Sequence, residues 1–186
     1  MDEKDLMFIQ GTKDYYDRIV KLCDECFGTG YVDEREYEKW LLHPGLFNIA
    51  LANGRFAGFS VMLPASAHEI MRHMGMEQEE VQALTDGRPA VIYKSVAVCP
   101  AYRQNGLLKG LVQDLVKNAK EMGIGSVFLS AWTYQGKTPV EKALNACGFT
   151  RLYVRKMLWY SYENYKCILC HGRCKCDAVI YHKSLG

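Results

Sequence analysis

No apolar run in this 186-residue sequence reaches the ~18–20 residues that a membrane-spanning helix needs. The opening Met-Asp-Glu-Lys-Asp lacks the basic-then-apolar pattern of an export signal, so the expected location is cytoplasmic. Charge of either sign has almost no excess: 23 Lys and Arg face 21 Asp and Glu, a formal net charge of +2. That balance argues against nucleic acid and against an acidic membrane surface as partners. Internal repeats and low-complexity tracts are absent. With 49% hydrophobic and 24% charged residues, the composition fits one globular domain.

Cysteine, by contrast, is plentiful. Of the eight, Cys23, Cys26, Cys99 and Cys147 are scattered, whereas Cys167, Cys170, Cys174 and Cys176 fall within ten residues. In a reducing compartment such a cluster points to metal or redox chemistry before disulfides. Cys23 and Cys26 also form Cys-x-x-Cys, but on the apolar face of a predicted helix, where core packing is the better reading.

Hydrophobic periodicity orders the chain. Residues 5–10 read as a strand, and Thr12 as the cap of a helix running to about Cys26. A second helix is expected over 33–42. Apolar runs at 46–52 and 56–63 flank Asn53-Gly54, a strong hairpin signal. Residues 65–88 read as a helical insert. The run 90–98 is the clearest strand and ends at Pro100. Leu107, Leu111, Val112, Leu115 and Ala119 then mark a long amphipathic helix. A buried strand at 125–131 follows. Thr138-Pro-Val-Glu141 reads as a capping box that opens a short helix. Strands are expected at 149–160 and 178–182. This order implies an α/β fold, a mixed sheet with helices on both faces.

The most informative stretch is the turn between the 90–98 strand and the long helix. Amide N–H groups at a helix start lack internal partners, and the dipole adds positive potential there, so phosphate fits the place. Arg103 adds charge and Gly106 leaves room for backbone approach. The stretch Val98-Cys-Pro100-Ala-Tyr102-Arg103-Gln104-Asn105-Gly106-Leu107-Leu108, with Ala143-Leu-Asn-Ala-Cys-Gly148-Phe149 further on, resembles the GNAT superfamily of N-acetyltransferases over about residues 5–160. The resemblance implies that backbone groups of Val96, Ala97 and Val98 hold the pantetheine arm of acetyl-CoA. It also implies that N–H groups of Arg103, Gln104, Asn105, Gly106, Leu107 and Leu108 hold its pyrophosphate. One departure is Leu108, where the family has glycine or alanine. Residues 1–160 would form the acetyltransferase core, and 161–186 a cysteine-rich hairpin with the last strand of the same domain.

Acetyl transfer to an amine needs the amine uncharged and a proton for the leaving thiolate. In many members of the family a tyrosine four residues before Gly-Phe supplies that proton, but Leu144 stands there. Tyr134, in the turn after the 125–131 strand, is the substitute expected. Tyr93 and Ser95 could steer a water, and His68 and His73 of the insert could titrate near neutrality.

The segment Cys167-Ile-Leu-Cys170-His171-Gly172-Arg173-Cys174-Lys-Cys176 resembles a zinc knuckle. Four thiolates suit tetrahedral Zn2+ in a closed structural site. Three rivals exist. Cys-x-x-Cys-His matches c-type haem attachment, but that chemistry belongs to exported proteins and leaves Cys174 and Cys176 unexplained. A thioredoxin-like pair would need a helix N-terminus. An iron–sulfur cluster also takes four cysteines. By resemblance this loop borders the acceptor site, so the metal would fix the wall of the acceptor pocket. The expected activity is acetyl transfer from acetyl-CoA to an amine of a small molecule or a protein. The alternatives are a silent acetyl-CoA-sensing module and a protein-docking module built on the hairpin. The acceptor and the oligomeric state have no diagnostic pattern in the sequence.

Overall fold

The computed structural model describes residues 6–163 and 165–186. The acidic start, with Asp5 of the expected first strand, lies outside the described residues. Among the described residues seven strands form one sheet: β1 (Leu6–Gln10), β2 (Phe47–Ala52), β3 (Arg55–Ala65), β4 (Ala90–Val98), β5 (Ser126–Thr133), β6 (Thr150–Arg155) and β7 (Asp177–Ser184). Their order is β1-β2-β3-β4-β5-β7-β6. Only β4 and β5 run parallel; every other neighbouring pair is antiparallel. The mixed sheet expected from the element order is present.

Helices cover both faces. On one, α1 (Tyr16–Cys26) and α2 (Glu34–Leu41) bury Ile19, Leu22, Tyr37 and Trp40 against Phe47, Phe59 and Val61. Each such large side chain removed from water contributes ~1.5–3 kcal/mol. The insert continues this face with α3 (Ala67–Ile70), a π-turn at Met71–Gly75 and α4 (Gln78–Thr85). Its Ile70, Met74 and Val81 pack on Phe128 and Ile180. On the other face α5 (Leu107–Glu121) and α6 (Glu141–Ala146) bring Val112, Leu115 and Leu144 onto Val91, Leu129 and Tyr181.

Three local expectations are corrected. Thr12 makes no side-chain cap; a 3-10 turn at Lys13–Tyr15 precedes α1, and the Thr12 hydroxyl donates to Asp14 instead. Thr138 does not cap α6, which starts at Glu141 after a turn in which Glu141 N–H donates to the Thr138 carbonyl. The capping box that forms is Ser66 with Glu69, at the start of α3. The strand expected to reach residue 160 stops at Arg155: Met157 is left-handed at φ 47°, and its N–H is taken by Asp177 Oδ1 at 3.1 Å.

Candidate active site

The site begins with a gap in the sheet. β4 and β5 pair only from Ala90↔Ser126 to Tyr93↔Leu129, although β4 runs on to Val98 and β5 to Thr133. At the point of parting β4 carries a bulge: β3 residues Val61 and Met62 face Ser95 and Tyr93, leaving Lys94 as the extra residue. A bulge bends its strand and increases its twist, which turns the C-terminal half of β4 away from β5. Residues 94–98 therefore present an edge with no partner strand on the β5 side, the arrangement an extended ligand can complete. Val96, Ala97 and Val98 all lie on this stretch.

Past Val98 the chain makes a 3-10 turn (Pro100–Tyr102) and enters α5 through residues 103–106. Gln104 and Gly106 are left-handed, at φ 66° and 77°, and a Cβ on Gly106 would meet open space. The loop is exposed, and α5 has no side-chain N-cap, so its first amides are open to an anion. Arg103 is engaged elsewhere. Its Nε donates to the Val98 carbonyl at 3.0 Å and its guanidinium lies 3.1 Å from Cys26 Sγ, so it ties the loop to the strand end and to α1. Leu108 turns into the small cluster around Leu107, Leu111 and Val98.

On the α1–α2 face the bulge meets Tyr31 and Glu36. Tyr31 Oη donates to the Lys94 carbonyl at 3.2 Å and lies 2.9 Å from Ser95 Oγ. Lys94 Nζ lies 3.2 Å from Glu36 Oε1 of α2. Burial alone would raise the Glu36 pKa, but Lys94 and Lys39 outweigh it and hold it below the ordinary carboxylate value. Against burial, Tyr31 and Glu36 raise the pKa of Lys94. His73 of the insert has its pKa lowered by burial and then by Arg72, Lys94 and Arg155. Its Nε2 lies 3.3 Å from the Arg72 guanidinium. Phe27, Tyr31 and Tyr165 form an aromatic wall, with ring centroids 4.5 and 5.9 Å apart.

The cysteine hairpin lies against the segment that follows α1. The Sγ atoms of Cys167, Cys170, Cys174 and Cys176 lie within 4.8 Å of one another, at 3.8 Å for Cys167–Cys176 and 3.7 Å for Cys170–Cys176. Sulfurs ~2.3 Å from a tetrahedral ion stand ~3.8 Å apart, so the donor set fits zinc. The hairpin is latched to the α1–α2 loop. Lys166 N–H donates to the Thr29 carbonyl and Ile168 N–H to the Phe27 carbonyl, both at 3.1 Å; Tyr165 Oη also donates to the Phe27 carbonyl, at 2.8 Å. Gly28 permits this approach: at φ 119°, a Cβ there would lie 1.9 Å from the Lys166 carbonyl oxygen.

The remaining candidates are dispersed. Tyr134 ends β5 in a tight bridge with Lys137 and is 40% exposed. Tyr93 points into the α5 core, its hydroxyl buried without a hydrogen-bond partner. Leu144 is fully buried in the same cluster, a packing position on α6. His68 is exposed on α3. The Glu36–Lys94 pair was missed from sequence, although a lysine within the apolar run 90–98 was its signal.

The model of the acetyltransferase (GNAT) family matches residues 14–149. No curated protein sequence matches the chain. Among solved structures, Arabidopsis thaliana Naa50 in complex with a bisubstrate analogue is 13% identical with a TM-score of 0.68, over 97% of this chain and 99% of that one. An N-acetyltransferase from Staphylococcus aureus superposes at 0.66 with 15% identity, over 97% and 99%. The ribosomal-protein-S18-alanine N-acetyltransferase of Escherichia coli reaches 0.64 with 12% identity, over 97% and 94%. Likeness at such identities concerns the fold.

Proposed function

Since the chain belongs to the acetyltransferase (GNAT) family, we propose that it transfers an acetyl group from acetyl-CoA to an amine by direct attack on the thioester. The observation that carries this reading is the parting of β4 and β5 beside the open start of α5. The unpaired edge around Val96, Ala97 and Val98 holds the pantetheine arm. Amides of Gln104, Asn105, Gly106, Leu107 and Leu108 hold the pyrophosphate, with Arg103 positioning their loop. That Naa50 was solved with a coenzyme A–acetyl–peptide analogue supports the choice of donor.

The amine nitrogen attacks the carbonyl carbon, a C–N bond forms, the C–S bond breaks and the thiolate leaves. A lysine-type amine with a pKa of ~10.4 is uncharged in only about one molecule in a thousand at neutral pH. Glu36 is already paired with Lys94, and His73 Nε2 is already in contact with Arg72. The ammonium proton therefore leaves through water, helped by the Lys94 charge, which disfavours a second cation beside it. Orientation in the groove supplies much of the remaining acceleration. Tyr134 is the proposed donor of the proton to the thiolate, and the second proton, lost by the nitrogen as the C–S bond breaks, restores the tyrosine through water.

Cys167, Cys170, Cys174 and Cys176 hold a zinc ion as a structural cross-link with no open position. Through the latch at Phe27 and Thr29 they fix the acceptor wall, so residues 161–186 serve as one domain with the 1–160 core. Calorimetry with coenzyme A on the metal-loaded protein, joined to thiol release over an amine panel, tests the proposal. Binding with release is expected. Binding without release on any amine would favour an acetyl-CoA-sensing module, and no heat on mixing would end both readings.

A further inference from the structure

Charge around the groove does not balance locally. Glu36 is taken up by Lys94 and Lys39 at 3.2 and 3.3 Å, and it also accepts from Trp40 Nε1. Glu69 is folded back on Ser66, accepting from its backbone N–H at 2.8 Å and its hydroxyl at 2.7 Å. Two guanidiniums at the insert edge are left over. Arg155 donates one N–H to the Arg72 carbonyl at 3.0 Å, and Arg72 touches the His73 ring at 3.3 Å. Among the described residues neither arginine takes part in an ion pair.

The seat of Arg155 is built into the backbone. Gly75 is left-handed at φ 73°, and a Cβ there would come within 2.8–3.0 Å of the Arg155 NH1, Cζ and Nε atoms. Only a bare backbone lets the guanidinium lie there. The His73 ring, 3.3 Å from the Arg72 guanidinium, packs beside it. Two planar forks, joined through one backbone carbonyl and in no direct ion pair among the described residues, suit an oxyanion.

We propose that the acceptor is an amine that also carries a carboxylate or phosphate, and that Arg72 and Arg155 bind that anion beside the thioester. This rests on the acyl-transfer reading above. The anion fixes the molecule and offsets the positive field that its ammonium meets at Lys94.

The test uses full-length, metal-loaded protein, acetyl-CoA and matched acceptors: amino acids against their carboxamides, and phosphoethanolamine against ethanolamine. The anionic member of a pair is expected to show kcat/KM about 10- to 100-fold higher, the range of a charge-assisted fork. The carboxylate and phosphate arms identify the oxyanion. In Arg155→Gln and Arg72→Gln the preference falls to near parity because turnover of the anionic acceptor drops, and Arg155→Lys restores part of it; coenzyme binding reports folding. Equal or better turnover of the neutral members would overturn the proposal while leaving acyl transfer standing. If no amine is turned over, the acyl-transfer reading fails, and the anion site is judged by calorimetry of N-acetyl amino acids against their amides on the coenzyme-loaded protein. Binding restricted to the acids and lost in Arg155→Gln upholds the site; equal binding, or none, overturns it.

Discussion

Gly28→Ala tests whether the metal hairpin governs the acceptor groove. The new Cβ would lie 1.9 Å from the Lys166 carbonyl oxygen and 2.9 Å from the Ile168 nitrogen, both backbone atoms that cannot rotate aside. The hairpin must retreat by about 1 Å or more, since a Cβ essentially never comes within 3.0 Å of such atoms. That movement breaks three hydrogen bonds, to Thr29 and twice to Phe27, worth ~1 kcal/mol each. Any side chain at φ 119° adds ~1–3 kcal/mol of backbone strain. Loss of ~3 kcal/mol at the latch corresponds to roughly 100-fold faster exchange of the Lys166 and Ile168 amides. In the same variant KM for the acceptor should rise while coenzyme affinity and zinc content stay at wild-type levels, because α5 is untouched and the four sulfurs shift together with their hairpin. Wild-type exchange at both amides together with an unchanged acceptor KM would refute the reasoning.

Other outcomes follow from the same geometry. Elemental analysis should find one zinc per wild-type chain and none in Cys170→Ser or Cys174→Ser, each of which should lower Tm by about 5–15 °C for a loss of ~2–4 kcal/mol. Glu36→Gln leaves Lys94 without its carboxylate and should cost ~1–3 kcal/mol. Because the folded Glu36 pKa is depressed, its contribution is complete above the unfolded value of ~4.3 and vanishes as pH falls through the lower folded one. A Tm-versus-pH series below pH 5 should therefore be flatter in the variant than in the wild type. Tyr134→Phe should lower kcat about tenfold or more, with little change in KM, if its hydroxyl protonates the thiolate; an unchanged kcat and pH profile would remove it from the reaction.

Elements held by their own neighbours in sequence were legible before any coordinates. The stripe from Leu107 to Ala119 could only be an amphipathic helix, and Asn53-Gly54 could only turn a hairpin. Local chemistry misled where two backbone solutions competed. Thr138 and Glu141 satisfied the capping pattern, yet Pro139 and Val140 settled into a turn, while Ser66 with Glu69, three residues apart in a polar stretch, formed the box that the reading passed over. The four sulfurs were legible because ten residues contain them. The groove was not, because its parts are far apart along the chain: Tyr31 reaches Lys94 and Ser95 across more than sixty residues, and Phe27 accepts from Tyr165 across 138. Nothing in periodicity announces such meetings. The lysine at position 94 was the one hint, a cation in a run that otherwise belongs inside.

The short ladder from Ala90↔Ser126 to Tyr93↔Leu129 is all that stitches two antiparallel blocks, β1 to β4 and β5-β7-β6, into one sheet. The loose end of that seam is where the thioester arm would lie. A ligand strand laid along it sews the blocks together, so donor binding should stiffen regions that never touch the donor. Protection against proteolysis would then spread to the outer strands of both halves, far beyond the footprint of the coenzyme.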